Sequence, residues 1–507
     1  MAFWEGLGRM DILSGMVSGF QVVLQPMNFL YCFLWVFIGT LIGVLPGIGP
    51  VGTMSILLPV TFGVSPVTGV IMLAGIYYGA MYGGSTTSIL VNIPGEAASV
   101  VTCLEGYQMA RQGKAGPALG ISAFGSFIAG TIATVLIMMV AHPLANFALK
   151  FGPPEYFCLM LLGLTLVTSL GRGSLIKGLM MAAVGIFLGT IGTDIISGQE
   201  RFTYGSYTLL DGLSFIPVIM GLFGIPEVLE VLEGPLRREI YKTRIANLLP
   251  NLRDWKDSIG AIIRGSFLGF FVGVLPGGGP MIASLASYAT EKRISRHPEK
   301  FGTGVIEGVA APEAANNAAS QGAFIPLLAL GVPGNATMAV LMGALLIHGI
   351  KPGPFLINKN PDLFWGVIGS MYVGNLMLLV LNLPLIRMWV QFLKIPYPIL
   401  FPLILLFTLI GSYSVNNNIW DVFSMLLFGI IGYMMKKFNY EGAPLILALV
   451  LSPLMENALR QSLILSHGSF GIFFTRPIAL VLFVIAMLSI GSQLLPGFRK
   501  KISRIEG

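Results

Sequence analysis

Residues 118–141, from Ala118 to Ala141, contain no ionisable side chain. An α-helix needs roughly 20 apolar residues to cross the hydrocarbon core of a bilayer. Stretches 155–170, 178–193, 364–386 and 477–498 are similar, with charge only near their ends. Of the 507 residues, 55% are hydrophobic and 10% charged, against about 25% charged in soluble domains. A large soluble core cannot absorb that difference, because its surface would stay apolar; a lipid-facing surface can. The sequence therefore predicts an all-α polytopic membrane protein with about ten to twelve spans of ~20 residues.

The net charge of +7 does not imply a nucleic-acid partner. Basic residues sit in short clusters between apolar segments: Arg111/Lys114, Arg172/Lys177, Arg237–Lys256, Lys292–Lys300, Arg387/Lys394, Lys436/Lys437 and Arg499–Arg504. Such clusters mark cytoplasmic loops. Cys32, Cys103 and Cys158 form no C-x-x-C pair, so neither a disulfide framework nor a zinc site is expected. The N-terminus has an early acid and no basic leader, unlike a cleaved signal peptide.

The chain also repeats itself. GTLIGVLPGIGP (39–50) returns as GFFVGVLPGGGP (269–280), and NIPGEA (92–97) as GVPGNA (331–336). Lys114–Pro117 is echoed by Lys351–Pro354, and 151–170 by 394–413. Four landmarks in one order indicate a duplication. Loop 61–66 has no basic residue where its counterpart 291–300 is rich in them. Loop 171–178 has two where 412–421 has none. Equivalent loops then lie on opposite sides, which predicts inverted repeats.

Each PGxGP motif ends an apolar run. Its prolines remove backbone donors, and a helix cannot continue through it. In lipid, unpaired backbone groups cost roughly several kcal/mol each, so breaks survive where protein or a watery cavity satisfies them. Transporters use such breaks to hold ions and substrates. Pro46, Gly47 and Gly49, with Pro276, Gly277 and Gly279, are the ion-coupling candidates. The G-x-x-x-G pairs Gly39/Gly43 and Gly269/Gly273 suit close helix packing. Gly47–Gly52 also matches the dinucleotide fingerprint, but lacks the strand–turn–helix setting that motif needs.

A second motif pair places hydroxyls and amides inside apolar sequence. The substrate-binding candidates are Ser85, Thr86, Thr87, Asn92 and Gly95 in one half, with Asn316, Asn317, Ser320, Gly334, Asn335 and Thr337 in the other. Uncharged donors and acceptors of this kind suit a carboxylate plus a small cation. Glu96, Glu307 and Glu313 fall at or near membrane depth, where an acid is expensive and marks function; a surface location stays open for Glu307 and Glu313, near the basic loop 292–300. Arg264 is read as a snorkelling residue near a cytoplasmic end. His142, His297, His348 and His467 are dispersed and read as loop or interface residues.

GVLPGIGP, GVLPGGGP, PEAANNAASQG and LGVPGNAT resemble the large membrane subunit of the tripartite tricarboxylate transporters, the TctA family. The resemblance covers nearly the whole chain. It implies the permease of a bacterial inner-membrane uptake system, with a periplasmic solute-binding protein (TctC-like) and a small membrane subunit (TctB-like) as partners. It also implies a tri- or dicarboxylate substrate, Na⁺ as coupling ion, no other cofactor, and an elevator-type architecture with broken or re-entrant hairpins. The absence of a Walker A sequence agrees with secondary transport. Two rivals are a stand-alone carboxylate exchanger or channel, and a membrane-embedded enzyme; the sequence has no H-E-x-x-H or G-x-S-x-G to serve the latter. The expected layout is a first amphipathic or membrane segment (1–27), repeat one (28–233), a basic cytoplasmic linker (234–258), repeat two (259–470), and a last segment with a basic tail (471–507).

Overall fold

The computed structural model describes residues 9–45, 49–170, 174–194, 196–233, 248–393 and 397–494. Pro46, Gly47, Arg172, linker residues 234–247 and the basic tail lie outside them.

The first half begins with α1 (Arg9–Val23) and α2 (Pro26–Val44), then a short α3 (Gly49–Leu57) that tightens to a 3₁₀ turn over Leu58–Gly63. Next come α4 (Pro66–Val91), α5 (Val100–Arg111), α6 (Ala115–Ala148), α7 (Pro153–Leu170) and α8 (Leu175–Gly189). A two-residue antiparallel ribbon pairs Gly192–Thr193 with Glu200–Arg201. It leads to α9 (Phe215–Ile219), which passes through a π turn into α10 (Ile225–Glu233). The second half holds α11 (Leu252–Val274), α12 (Gly279–Ile294), α13 (Glu307–Gly322), α14 (Ala336–Ile347), α15 (Leu356–Lys359) and α16 (Pro361–Asn382). It closes with α17 (Ile386–Phe392), α18 (Tyr397–Asn416), α19 (Ile419–Lys437), α20 (Gly442–Leu465), α21 (Ile472–Thr475) and α22 (Pro477–Leu494). α11 starts inside the segment read as linker, where Asn251 caps it by accepting from Arg253 N and Asp254 N.

Among the described residues, seven helices are long and apolar enough to cross a membrane: α2, α4, α6, α11, α16, α19 and α20. Shorter apolar helices accompany them, among them residues 49–63 and α14. Leu406, Phe407 and Ile410 of α18, and Phe423, Leu427 and Ile430 of α19, project outward. Large apolar residues massed on an outer face suit lipid, not water. The interior is the reverse: α4 and α13 are buried along almost their whole length, yet carry most of the polar motifs.

Helix directions follow from which residues meet. Gly39 lies against Ile76 and Gly43 against Ala80, so close that a Cβ would collide with backbone. Numbers rise together, so α2 and α4 are parallel, and α3 with its 3₁₀ extension must run back between them. In the second half Gly265, Gly269 and Gly273 lie against Ala311, Ala315 and Ala319 in the same way. There α12 returns beside α11: a Cβ on Gly278 would meet Val272, and one on Gly265 would lie 3.2 Å from Ser287 Oγ. In each half one helix ends before the PGxGP motif, at Val44 or Val274, and its return starts at Gly49 or Gly279. The glycines serve the close packing expected of G-x-x-x-G.

Across the centre the order reverses. Ser85 meets Glu313 while Tyr77 stacks on Phe324, so α4 and α13, which hold matching places in their halves, run antiparallel. Contacts are exchanged reciprocally. α6 runs beside α13 (Ser126 to Asn317, Thr134 to Gln321), and α16 beside α4 (Ser370 to Tyr78, Asn375 to Tyr82). The helices form two bundles. One contains α1–α6 and α11–α16; the other contains α7–α10 and α18–α22. They meet chiefly along α3 and α14.

Candidate functional site

The two polar motifs come together where the halves meet. α4 ends at Asn92, whose φ of 58° is left-handed; the second half places Gly331 there, at 74°. Asparagine and glycine are the residues that tolerate this helix stop. Each is followed by Pro-Gly and then by a capping side chain. Glu96 accepts from Ala98 N (2.6 Å), and Asn335 accepts from Met338 N (2.9 Å). Each break is therefore a helix stop and a capped helix restart. The second loop is tied to the neighbouring hairpin tip, since Gly277 N–H donates to the Gly334 carbonyl (2.7 Å).

Glu313 is the hub. It is fully buried and accepts from the hydroxyls of Ser85 and Thr102 and from Ser122 Oγ (3.2 Å). Those hydroxyls come from α4, α5 and α6 of the first half. Pro312 sits within α13 directly before it. Asn316, one turn on, donates to Glu96 Oε1 (3.4 Å). Asn317 donates to Ser126 Oγ (2.7 Å), and Asn335 to Tyr77 OH (3.4 Å). Further along, Thr134 donates to Gln321 Oε1 (2.6 Å), and Tyr82 to Asn375 Oδ1.

The expected site residues therefore divide. Ser85, Asn316, Asn317 and Asn335 bridge the halves; Thr86, Gly95, Gly334 and Thr337 are buried. Thr87 donates to Val44 O (2.6 Å) and ties α4 to α2, while Ser320 turns back to Asn317 O (2.8 Å) on its own helix. Asn92 is exposed and serves as the helix stop. Pro276 and Gly277 form the second tip, and Gly49 and Gly279 start the return helices, both at positive φ. Of the ion-coupling candidates, Pro46 and Gly47 alone fall outside the described residues. Glu307 is half-buried at the start of α13, and Arg264, read as snorkelling, makes a bidentate pair with Glu291 (2.7 and 2.8 Å). Thr102, Ser122, Ser126 and Asn375 escaped the sequence reading. For α6 a signal existed: Ser122, Ser126 and Thr134 share one helical face. Asn375 sits in a largely apolar helix without a recognisable motif and offered none.

Beside the second break lies a cavity of about 670 Å³. Leu330–Val332, the Lys351–Pro354 loop, α7 and α20 form its walls, with Lys351, Lys359, Asn457 and Gln461 among its polar residues. No Asp or Glu lines it.

A model of the tripartite tricarboxylate transporter TctA family matches residues 29–447. The chain belongs to that family. As a TctA-family chain it is a component of a membrane transporter, and the paired breaks and buried polar seam sit in its matched region. It is 51% identical over 496 residues, 98% of this chain and 99% of the relative, to the "uncharacterized 52.8 kDa protein in TAR-I ttuC' 3'region" of Agrobacterium vitis. A second Agrobacterium vitis protein, from the TAR-II ttuC' 3'region, is 50% identical over 237 residues, 47% of this chain and 98% of that protein. No solved structure matches.

Proposed function

We propose that this chain is the large permease subunit of a binding-protein-dependent secondary transporter that imports tri- or dicarboxylates, driven by an ion gradient, with Na⁺ as the ion. The observation that carries it is the buried seam where Ser85 and Thr102 meet Glu313, Asn316 meets Glu96 and Asn335 meets Tyr77. Uncharged donors, capped helix starts and buried carboxylates packed together are what a site for an anion and a cation requires. The cavity beside the second break supports an anionic substrate, since its charged lining is two lysines. The two bundles support an elevator, one sliding against the other along α3 and α14. The antiparallel run of α4 and α13 supports inverted repeats. A solute-binding protein, a small membrane subunit and an inner-membrane location follow from the family reading. The rival is an exchanger or channel that works without a binding protein.

Uptake of a carboxylate panel into proteoliposomes, with and without a TctC-like binding protein, separates the two. The double variant Lys351→Gln/Lys359→Gln should raise the half-saturating carboxylate concentration about tenfold, with a smaller change in maximal rate, as for lost charge-assisted binding of substrate. Unchanged kinetics would remove the cavity from the substrate path.

A further inference from the structure

Glu96 and Glu313 come from opposite halves, and both are buried. Neither makes an ion pair among the described residues. Buried carboxylates are costly unless something positive or many donors compensate them. Hydroxyl donors reach Glu313, and the Ala98 and Ser99 backbone N–H groups and the Asn316 amide reach the Glu96 carboxylate. Between the two acids stands Asn316, fully buried. Its Nδ2 donates to Glu96, while its Oδ1 has no hydrogen-bond partner. A buried amide oxygen left bare is expensive and rare.

The carboxylates, the Asn316 amide oxygen and the hydroxyls around Glu313 all offer oxygen. Ser85, Thr102 and Ser122 each commit their one hydroxyl proton to Glu313 and keep lone pairs free. The cluster is thus rich in acceptors, negative, and made of hard oxygen ligands. No group of three or more His, Cys, Asp or Glu gathers among the described residues, so the donor set of a transition metal is missing. We propose that Glu313, Glu96 and the Asn316 amide oxygen bind the coupling cation, a single Na⁺ held at the seam between the halves. The inference rests on reading the chain as an ion-coupled permease, but it places the ion at the Glu96 break and α13, not at the PGxGP motifs. Because the ligands belong to both halves, the ion also ties the break between α4 and α5 to α13.

A thermal-unfolding series on the purified, detergent-solubilised protein tests the site without transport. NaCl is titrated against choline chloride at fixed ionic strength. A ligand that binds the native state raises the midpoint with its concentration. The expected result is a Na⁺-dependent rise in the unaltered protein and its loss in Glu313→Gln. Asn316→Ala should raise the half-saturating Na⁺ concentration about tenfold or more, the loss of one direct ligand. If Glu313→Gln does not fold, Ser122→Ala is the milder probe and should weaken the Na⁺ response several-fold, roughly. Equal Na⁺ shifts in the unaltered protein and all variants would place the cation elsewhere. A midpoint that follows pH and ignores Na⁺ would make the ligand a proton and overturn the assignment. Carboxylate uptake is measured separately: a Glu313-dependent Na⁺ shift in a protein that moves no carboxylate would sink the permease reading and leave the ion site standing.

Discussion

Gly277 has φ 80° and donates its N–H to the Gly334 carbonyl at 2.7 Å. A Cβ there would lie 2.8 Å from the Leu166 backbone. Left-handed geometry alone costs a non-glycine residue roughly 1–2 kcal/mol; the collision adds to that and pushes the tip away from α7. Gly279 also has a positive φ, 49°, but open space surrounds its missing Cβ. Gly277→Ala should therefore cut carboxylate uptake about tenfold or more while the protein still reaches the membrane, and Gly279→Asn should be nearly neutral, because Asn tolerates this conformation. Equal rates in both variants would mean that the tip is a passive bend. At this scale the sequence was only partly legible. The Pro-Gly positions announced a break, but not that Gly277 would bond to Gly334. Nor could Glu313 be told from a surface acid near a basic loop, because its three hydroxyl partners lie about 190 to 230 residues away.

Individual elements are held by devices that apolar pattern does not encode. Glu105 of α5 is buried and accepts from Gly302 N, Gly304 N (2.7 Å), Val305 N (2.9 Å) and Tyr288 OH (2.8 Å). A first-half carboxylate thereby shapes the loop that starts α13. The segment between α8 and α9 is pinned otherwise. Arg460 of α20 holds Asp194, and Glu456 pairs with Arg201 and Arg460. The Ile196 N–H, the Ser197 hydroxyl and Arg460 hold the Asp194 carboxyl well below the usual carboxylate range. A depressed pKa contributes stability that is complete above the unfolded value, about 3.9 for Asp, and is lost as pH falls through the folded value. The loop should therefore stay docked from neutral pH down to about pH 4 and loosen in stronger acid. Hydrogen exchange of residues 196–214 reads this directly. Asp194→Asn should speed that exchange about threefold at pH 7, the modest effect of a partly exposed charged contact. Identical exchange would show that the ribbon and α20 packing suffice.

At the scale of the molecule, each half has parallel first and third helices joined by a returning one. Ser65 caps the start of α4, and Ser295 ends α12. Each lies where its half's returning helix comes out, and α4 and α13 then set off in opposite directions. Ser65→Cys should be labelled by an impermeant thiol reagent from the periplasmic side and Ser295→Cys from the cytoplasmic side, in a background with Cys32, Cys103 and Cys158 replaced by Ser. Labelling of both from one face would defeat the inverted arrangement, whatever the transport data show.

The linear sequence determined the class of structure. Long charge-free runs leave a chain little choice but helices in lipid, since each backbone group must find its partner locally. Duplication was visible because glycine and proline are demanded at fixed points by backbone geometry, and the same demand recurs in both halves. Which polar groups meet was decided by tertiary structure alone. Ser85, Thr102 and Ser122 converge on Glu313 because α4, α5 and α6 pack around one helix of the other half. Hydrogen bonds of that kind depend on helix direction and register across the seam. A side chain's own neighbours in sequence do not encode either one, so the site becomes legible only when the two halves are set against each other.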